Sequence, residues 1–181
     1  MRIIGGRHQR RLIRPPAGLP VRPTTDKARE ALFNVLNNHF DFESLRVLDL
    51  FAGTGSISFE FASRGGEVVA VEKDPRCVGF IRQTAKNLGM DRLSCIKADA
   101  FRFLKHPHPP FDIVFADPPY ELDRITELPG AVFSGKLLAE DGWLVIEHSE
   151  MHAFGTHPCF FRQRRYSRVH FSFFSGEHGP R

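Results

Sequence analysis

Between residues 46 and 146, five short apolar runs alternate with segments whose apolar residues recur at helical spacing. The runs lie at 47–51, 68–71, 93–96, 111–116 and 143–146. Continuous Val, Ile, Leu and Phe in runs this short suits strands buried on both faces. Strands alternating with helices build a mostly parallel sheet covered by helices on both sides. Right-handed crossovers then carry the C-terminal ends of the parallel strands to one edge, where open α/β sheets bind their ligands. The expected fold is therefore α/β, a doubly wound, mostly parallel Rossmann-like sheet.

The intervening segments agree with that frame. Gly53 and Gly55 follow the first run, and a helix is expected from there to Arg64, stopped by Gly65-Gly66. Asp74-Pro75 supplies an N-cap and a first-turn proline for a helix striped by Val78, Ile81, Ala85 and Leu88 and closed by Gly89. A short helix is expected at 100–104 and another within 122–138. Residues 159–166 and 168–174 form an antiparallel pair around Ser167 at the C-terminal end of the fold. Upstream, a helix begins near Thr25, with Asp26 at its positive end and a stripe of Ala28, Ala31, Leu32, Val35 and Leu36. Ile3-Ile4 and Leu12-Ile13 suggest a small hairpin, and Pro15, Pro16 and Pro20 exclude a regular helix after it. The expected division is an arm and helix at 1–40 and a catalytic domain at 41–181.

Four acids, Asp49, Glu72, Asp99 and Asp117, sit at or just past the end of a run. The predicted topology gathers all four at one sheet edge. After Asp49, the glycines at 53 and 55 allow the backbone to approach a ligand closely. Ser58 stands where a dinucleotide fingerprint has its third glycine, so the turn departs from GxGxxG. Glu72 is placed to accept both hydroxyls of a ribose. Asp99 has two readings, acceptor of an adenine amino group or N-cap of the helix that follows at once.

Asp117-Pro118-Pro119-Tyr120 is the most specific segment. Two prolines stiffen the backbone and remove two N–H donors, leaving carbonyls at the edge. The exocyclic amine of a base is a poor nucleophile because its lone pair is delocalised into the ring. The Asp117 carboxylate and the Pro118 carbonyl together can hold its two hydrogens and aim the lone pair at an electrophilic methyl group. Tyr120 is placed to stack on the base, which must leave its helix to enter such a site.

The net charge of +4 conceals an asymmetry. Residues 1–25 carry six arginines and no acid, residues 151–181 five arginines and one acid, and the stretch between them is acidic. Arginine-rich ends on an acidic body fit contact with a phosphate backbone. The nine histidines and three cysteines show no metal-ligand spacing, so no metal is expected and the thiols are read as reduced. Neither a membrane span nor a signal segment is evident, which leads to the expectation of a cytoplasmic protein with no membrane partner. Nothing in the sequence asks for more than a monomer.

These segments resemble the ordered motifs of class I S-adenosylmethionine methyltransferases. More closely, the chain resembles the bacterial 16S ribosomal RNA guanine-N2 methyltransferase family, small-subunit methyltransferase D. The resemblance runs through Met1–Gly6, Arg22-Pro-Thr-Thr, 29–36, 47–53, Asp117–Tyr120 and the closing Arg165-Tyr-Ser and Phe173-Phe174. It implies methyl transfer from S-adenosylmethionine to N2 of a guanine in 16S ribosomal RNA, either free or in an assembling small subunit. It also implies cofactor contacts from Asp49, Phe51, Gly53, Gly55, Glu72, Asp99 and Ala100, and base handling by Asp117, Pro118 and Tyr120. RNA contacts would come from Arg7, Arg10, Arg11, Arg22 and Thr24. Ser167 stands where the family commonly has glycine, and the loop 105–110, Lys-His-Pro-His-Pro-Pro, is idiosyncratic. Rival readings are an adenine-N6 or other amino-methyltransferase on DNA or another RNA, a non-catalytic RNA-binding assembly protein, and a nicotinamide oxidoreductase. The oxidoreductase is disfavoured by Ser58 and by Asp117–Tyr120.

Overall fold

A computed structural model describes residues 1–19 and 24–176. Among these residues, seven strands form one sheet in the order β3-β2-β1-β4-β5-β7-β6. The strands are β1 Arg46–Asp49, β2 Glu67–Glu72, β3 Leu93–Lys97, β4 Phe111–Ala116, β5 Leu138–His148, β6 Phe160–Tyr166 and β7 Val169–Ser175. The first five run parallel, and β7 enters antiparallel between β5 and β6. The chain order reverses between β1 and β4, which opens a crevice at their C-terminal ends.

The helices are α1 Asp26–Asn37, α2 Ser56–Ser63, α3 Pro75–Leu88, α4 Ala100–Leu104 and α5 Leu128–Ser134. The Thr25 side chain caps α1 by accepting from the Ala28 N–H, and Asp74 caps α3 through the Arg76 N–H. Gly89 closes α3 at φ 63°. Apolar side chains of α1, α2 and α3 pack on one face of the sheet against Val47, Ile113, Phe115 and Val145. Those of α4 and α5 pack on the other, against Leu48, Val114, Leu144 and Ile146. Alternation along each strand thus supplies both cores, as expected of a doubly covered sheet.

The N-terminal segment is docked rather than projecting. One antiparallel bridge joins Arg2 to Leu12, and Ile3 and Ile13 are buried in the same apolar cluster as Leu32, Phe33 and Val47. Among the described residues, the segment and α1 thus share one apolar cluster with the sheet. Ser63 holds the segment by donating to the Gly5 carbonyl at 2.6 Å and accepting from the His8 N–H at 3.0 Å. Arg29, only 1% exposed, donates to the Arg2 carbonyl and to Asp26, both at 2.7 Å.

Three local expectations are revised. The first strand ends at Asp49 rather than at residue 51, because the chain turns there toward α2. Within 122–138 the helix is a 3₁₀ turn at Ile125–Glu127 leading into α5, broken at Gly135. The fifth strand begins at Leu138, not Trp143, since a bulge absorbs the Glu140-Asp141-Gly142 turn signal. The loop 105–110 also acquires a role. His108 stacks on Phe103 at 3.9 Å, and Arg46 donates to the carbonyls of Pro109 and Pro110 at 2.6 and 3.3 Å.

Candidate active site

The acids that end strands lie along the edge formed by β3, β2, β1, β4 and β5. Asp49 closes β1 and is 1% exposed. Its Oδ2 accepts the Ser58 hydroxyl at 2.6 Å, while its buried Oδ1 has no hydrogen-bond partner among the described residues. Burial raises its pKa to about 7, with the Ser58 hydroxyl pulling the other way and Glu72 adding to the rise. The backbone N–H groups of Ser58 and Phe51 also lower its pKa, so the carboxylate is held by the turn that leads into α2. The Gly53 and Gly55 turn beside it has φ of 55° and 80°. A Cβ on Gly55 would come within 2.9 Å of Ile81 and Phe59, so glycine is required there by packing as well as by backbone conformation. Phe51, partly buried, packs against the α4–α5 core.

Glu72 braces the same turn. Its Oε2 accepts from the Gly53 N–H and its Oε1 from the Asp74 N–H, both at 2.8 Å. Each carboxylate oxygen retains further acceptor capacity. Asp99 is exposed and caps α4 through the Arg102 N–H at 2.9 Å, with Ala100 buried behind it. The capping reading of Asp99 therefore holds, and capping leaves room for an additional donor. A groove of about 540 Å³, lined by Phe101, Leu104, Arg124 and Glu127 among others, runs between α4 and α5 and includes none of Asp49, Glu72 or Asp117.

Asp117 follows β4 and is partly buried. Burial, then Glu147, then Asp49 hold its pKa well above the usual carboxylate range. Pro118 is buried, and no hydrogen bond from a described residue reaches its carbonyl, whereas the Pro119 carbonyl accepts from the Leu122 N–H at 2.9 Å. Tyr120 is 57% exposed at the mouth.

Glu147 was not anticipated. It closes the apolar part of β5 one position past Ile146, which pairs with Ala116, so it stands beside Asp117. Burial raises its pKa to about 7, opposed by a hydrogen bond from Thr24 at 2.8 Å. The signal was in the sequence, an acid ending the fifth run as others end the first four. Its partner Thr24 lies 123 positions away. Thr24 itself, expected at the RNA, is buried and bonded inward. Arg7, Arg10 and Arg11 are exposed on the docked arm, and Arg22 lies outside the described residues.

A seven-stranded sheet in the order β3-β2-β1-β4-β5-β7-β6, parallel except for the antiparallel β7, is the frame of the class I S-adenosylmethionine-dependent methyltransferases, and the protein is one of them. Residues 1–175 match the family described as conserved hypothetical protein 95. A ribosomal RNA small subunit methyltransferase D of Escherichia coli K12 is 33% identical over 150 residues, covering 81% of this chain and 71% of that protein. The chain belongs to this family. The structure of a hypothetical protein from Thermus thermophilus superposes with a TM-score of 0.82 at 28% identity, covering 97% of this chain and 99% of that one. An RNA methyltransferase of Salinibacter ruber, crystallised with S-adenosyl-L-homocysteine, shares the fold with a TM-score of 0.66 at 17% identity, over 84% of this chain and 92% of that one.

Proposed function

We propose that this protein transfers the methyl group of S-adenosylmethionine to N2 of a guanine in 16S ribosomal RNA. The observation that carries the reading is the placement of two acids on adjacent strand ends. Asp49 ends β1 and Asp117 directly follows β4, the strand paired with it; in this reading the first serves the cofactor's ammonium and the second the base. The resemblance to small-subunit methyltransferase D supports the choice of substrate.

In this assignment the Gly53–Gly55 turn cradles the methionine portion, beside Phe51. Glu72 accepts the ribose hydroxyls, and Asp99 with Ala100 borders the adenine. When bound, the cofactor supplies an electrophilic methyl on sulfur. Asp117 and the Pro118 carbonyl accept the two N2 hydrogens, which turns the nitrogen lone pair toward that methyl. Tyr120 covers the base. As the N–C bond forms and the S–C bond breaks, the nitrogen becomes acidic and Asp117 takes one of its protons, a transfer favoured by its raised pKa. Arg7, Arg10, Arg11 and Arg22 lie with the RNA backbone, and Thr24 orients the acid cluster from the arm side.

Mass spectrometry of nucleosides from 16S RNA, in cells with and without the gene, tests this. Loss of one N2-methylguanosine, restored by the wild-type gene and not by Asp117→Ala, is the expected result. An unchanged profile removes the assignment and turns attention to amino groups on DNA or other RNA.

A further inference from the structure

Methyl transfer to the base amine leaves Glu147 without a role. It is 6% exposed, and no ion pair reaches it among the described residues. Instead it stands next to a second acid. Alternation along β5 puts Glu147 on the face of Val145, and alternation along β4 puts Asp117 on the face of Phe115, which is the same face of the sheet. Thr24 fixes the side chain by donating to Oε2 at 2.8 Å. Two acids side by side at neighbouring strand ends, with one hydrogen bond from Thr24 and no ion pair to either among the described residues, are expensive to keep ionised. That arrangement is explained if a ligand brings two adjacent hydrogen-bond donors.

The Watson–Crick edge of guanine does so. It presents N1–H beside the N2 amino group, whereas adenine presents an acceptor, N1, beside its amino group. We infer that Glu147 is a specificity-determining residue that accepts the guanine N1–H through Oε1 while Asp117 accepts an N2 hydrogen. An adenine in the same pose would set its N1 lone pair against Glu147, a pairing that is repulsive and rejects it when that acid is ionised, above about pH 7. The inference rests on the proposed reaction at a base amine and deepens it by naming what distinguishes the base.

The test uses a 16S RNA fragment carrying the methylated guanine, and the same fragment with 2-aminopurine at that position. 2-Aminopurine keeps the N2 amine but offers N1 as an acceptor. The wild type should prefer guanine by about 100-fold or more in kcat/KM. Glu147→Gln, whose amide can donate to N1, should reduce that preference at least about tenfold, with S-adenosylmethionine affinity and cooperative melting retained. Equal losses on both substrates, leaving the ratio as in the wild type, would show a purely structural role and overturn the inference. Should Glu147→Gln not fold, Thr24→Val replaces it, since releasing Oε2 should also lower the preference severalfold, and an unchanged ratio there overturns the inference equally. A wild type active on guanine with an unaltered ratio in the variants sinks the inference alone. A wild type inactive on every guanine-containing fragment sinks the proposed reaction together with it.

Discussion

The Ser58 hydroxyl donates to Asp49 Oδ2 at 2.6 Å from within α2, and this bond fixes the acid that ends β1 with its other oxygen buried and unpartnered. Because Asp49 titrates near pH 7 in the fold and near 3.8 when unfolded, its contribution to the folded state is most favourable below about pH 4 and is progressively lost up to about pH 7. Asp49→Asn removes that dependence. Thermal melts should show the variant gaining stability relative to wild type as pH rises from 4 to 8, while its S-adenosylmethionine affinity, read by calorimetry, drops about tenfold or more for loss of a charged hydrogen bond. A constant difference in melting temperature across that pH range would contradict the assignment.

The sheet was legible because its central strands carry uninterrupted apolar runs, and the helices because Asp74-Pro75 and Gly89 mark their ends. The edge acids were legible for the same reason, each closing such a run. Glu147 escaped because its meaning depends on Thr24 and Asp117, which reach it only through tertiary packing. Ser58 stands where a dinucleotide fingerprint has glycine, and only the fold brings its hydroxyl to Asp49. The substitution of Ser167 for glycine is visible in its φ of 61°, a left-handed value that glycine would adopt without strain.

Gly6 is the point at which the arm meets α2. Its φ is 77°, and a Cβ there would lie 2.1 Å from the Ser63 carbonyl oxygen. Gly6→Ala should therefore cost about 1–3 kcal/mol from backbone strain alone and loosen the arm from α2. Hydrogen exchange should rise at Arg7 N–H, which donates to the Ser63 carbonyl at 2.7 Å, and RNA affinity should fall while S-adenosylmethionine binding persists. Unaltered protection at Arg7 would refute the docking role of this glycine.

Arg7, Arg10 and Arg11 are exposed on that docked arm with no acid near them in sequence. If each neutralises one RNA phosphate, changing all three to alanine should reduce the salt slope of RNA binding by about 2–3. Filter binding across a salt series measures it. A slope equal to wild type would take the arm out of the RNA interface.

Asp117→Asn keeps the size of the side chain but replaces one acceptor oxygen with a donor amide. Turnover should fall by about 10²–10⁴-fold, the range for a lost positioned proton acceptor, with cofactor affinity within a few-fold of wild type. Single-turnover methylation at saturating cofactor and RNA reads this directly. Full activity in the variant would remove Asp117 from the reaction.

The proximity of Glu147 to Asp117 also sets where activity begins on the pH scale. Asp117 must be ionised to accept a proton, and burial, Glu147 and Asp49 all raise its pKa. The turnover rate should therefore climb as pH rises through the raised pKa of Asp117. Glu147→Gln removes one negative neighbour, so the folded-state pKa of Asp117 falls and the rising limb moves to lower pH, independently of how far the variant's maximum rate declines. Asp49→Asn should move the limb in the same direction by a smaller amount, since Asp49 contributes less to the shift than Glu147. Single-turnover pH profiles of the three proteins decide the point. A limb that stays in place in Glu147→Gln would mean that the two acids do not share a field, whatever their positions on β4 and β5.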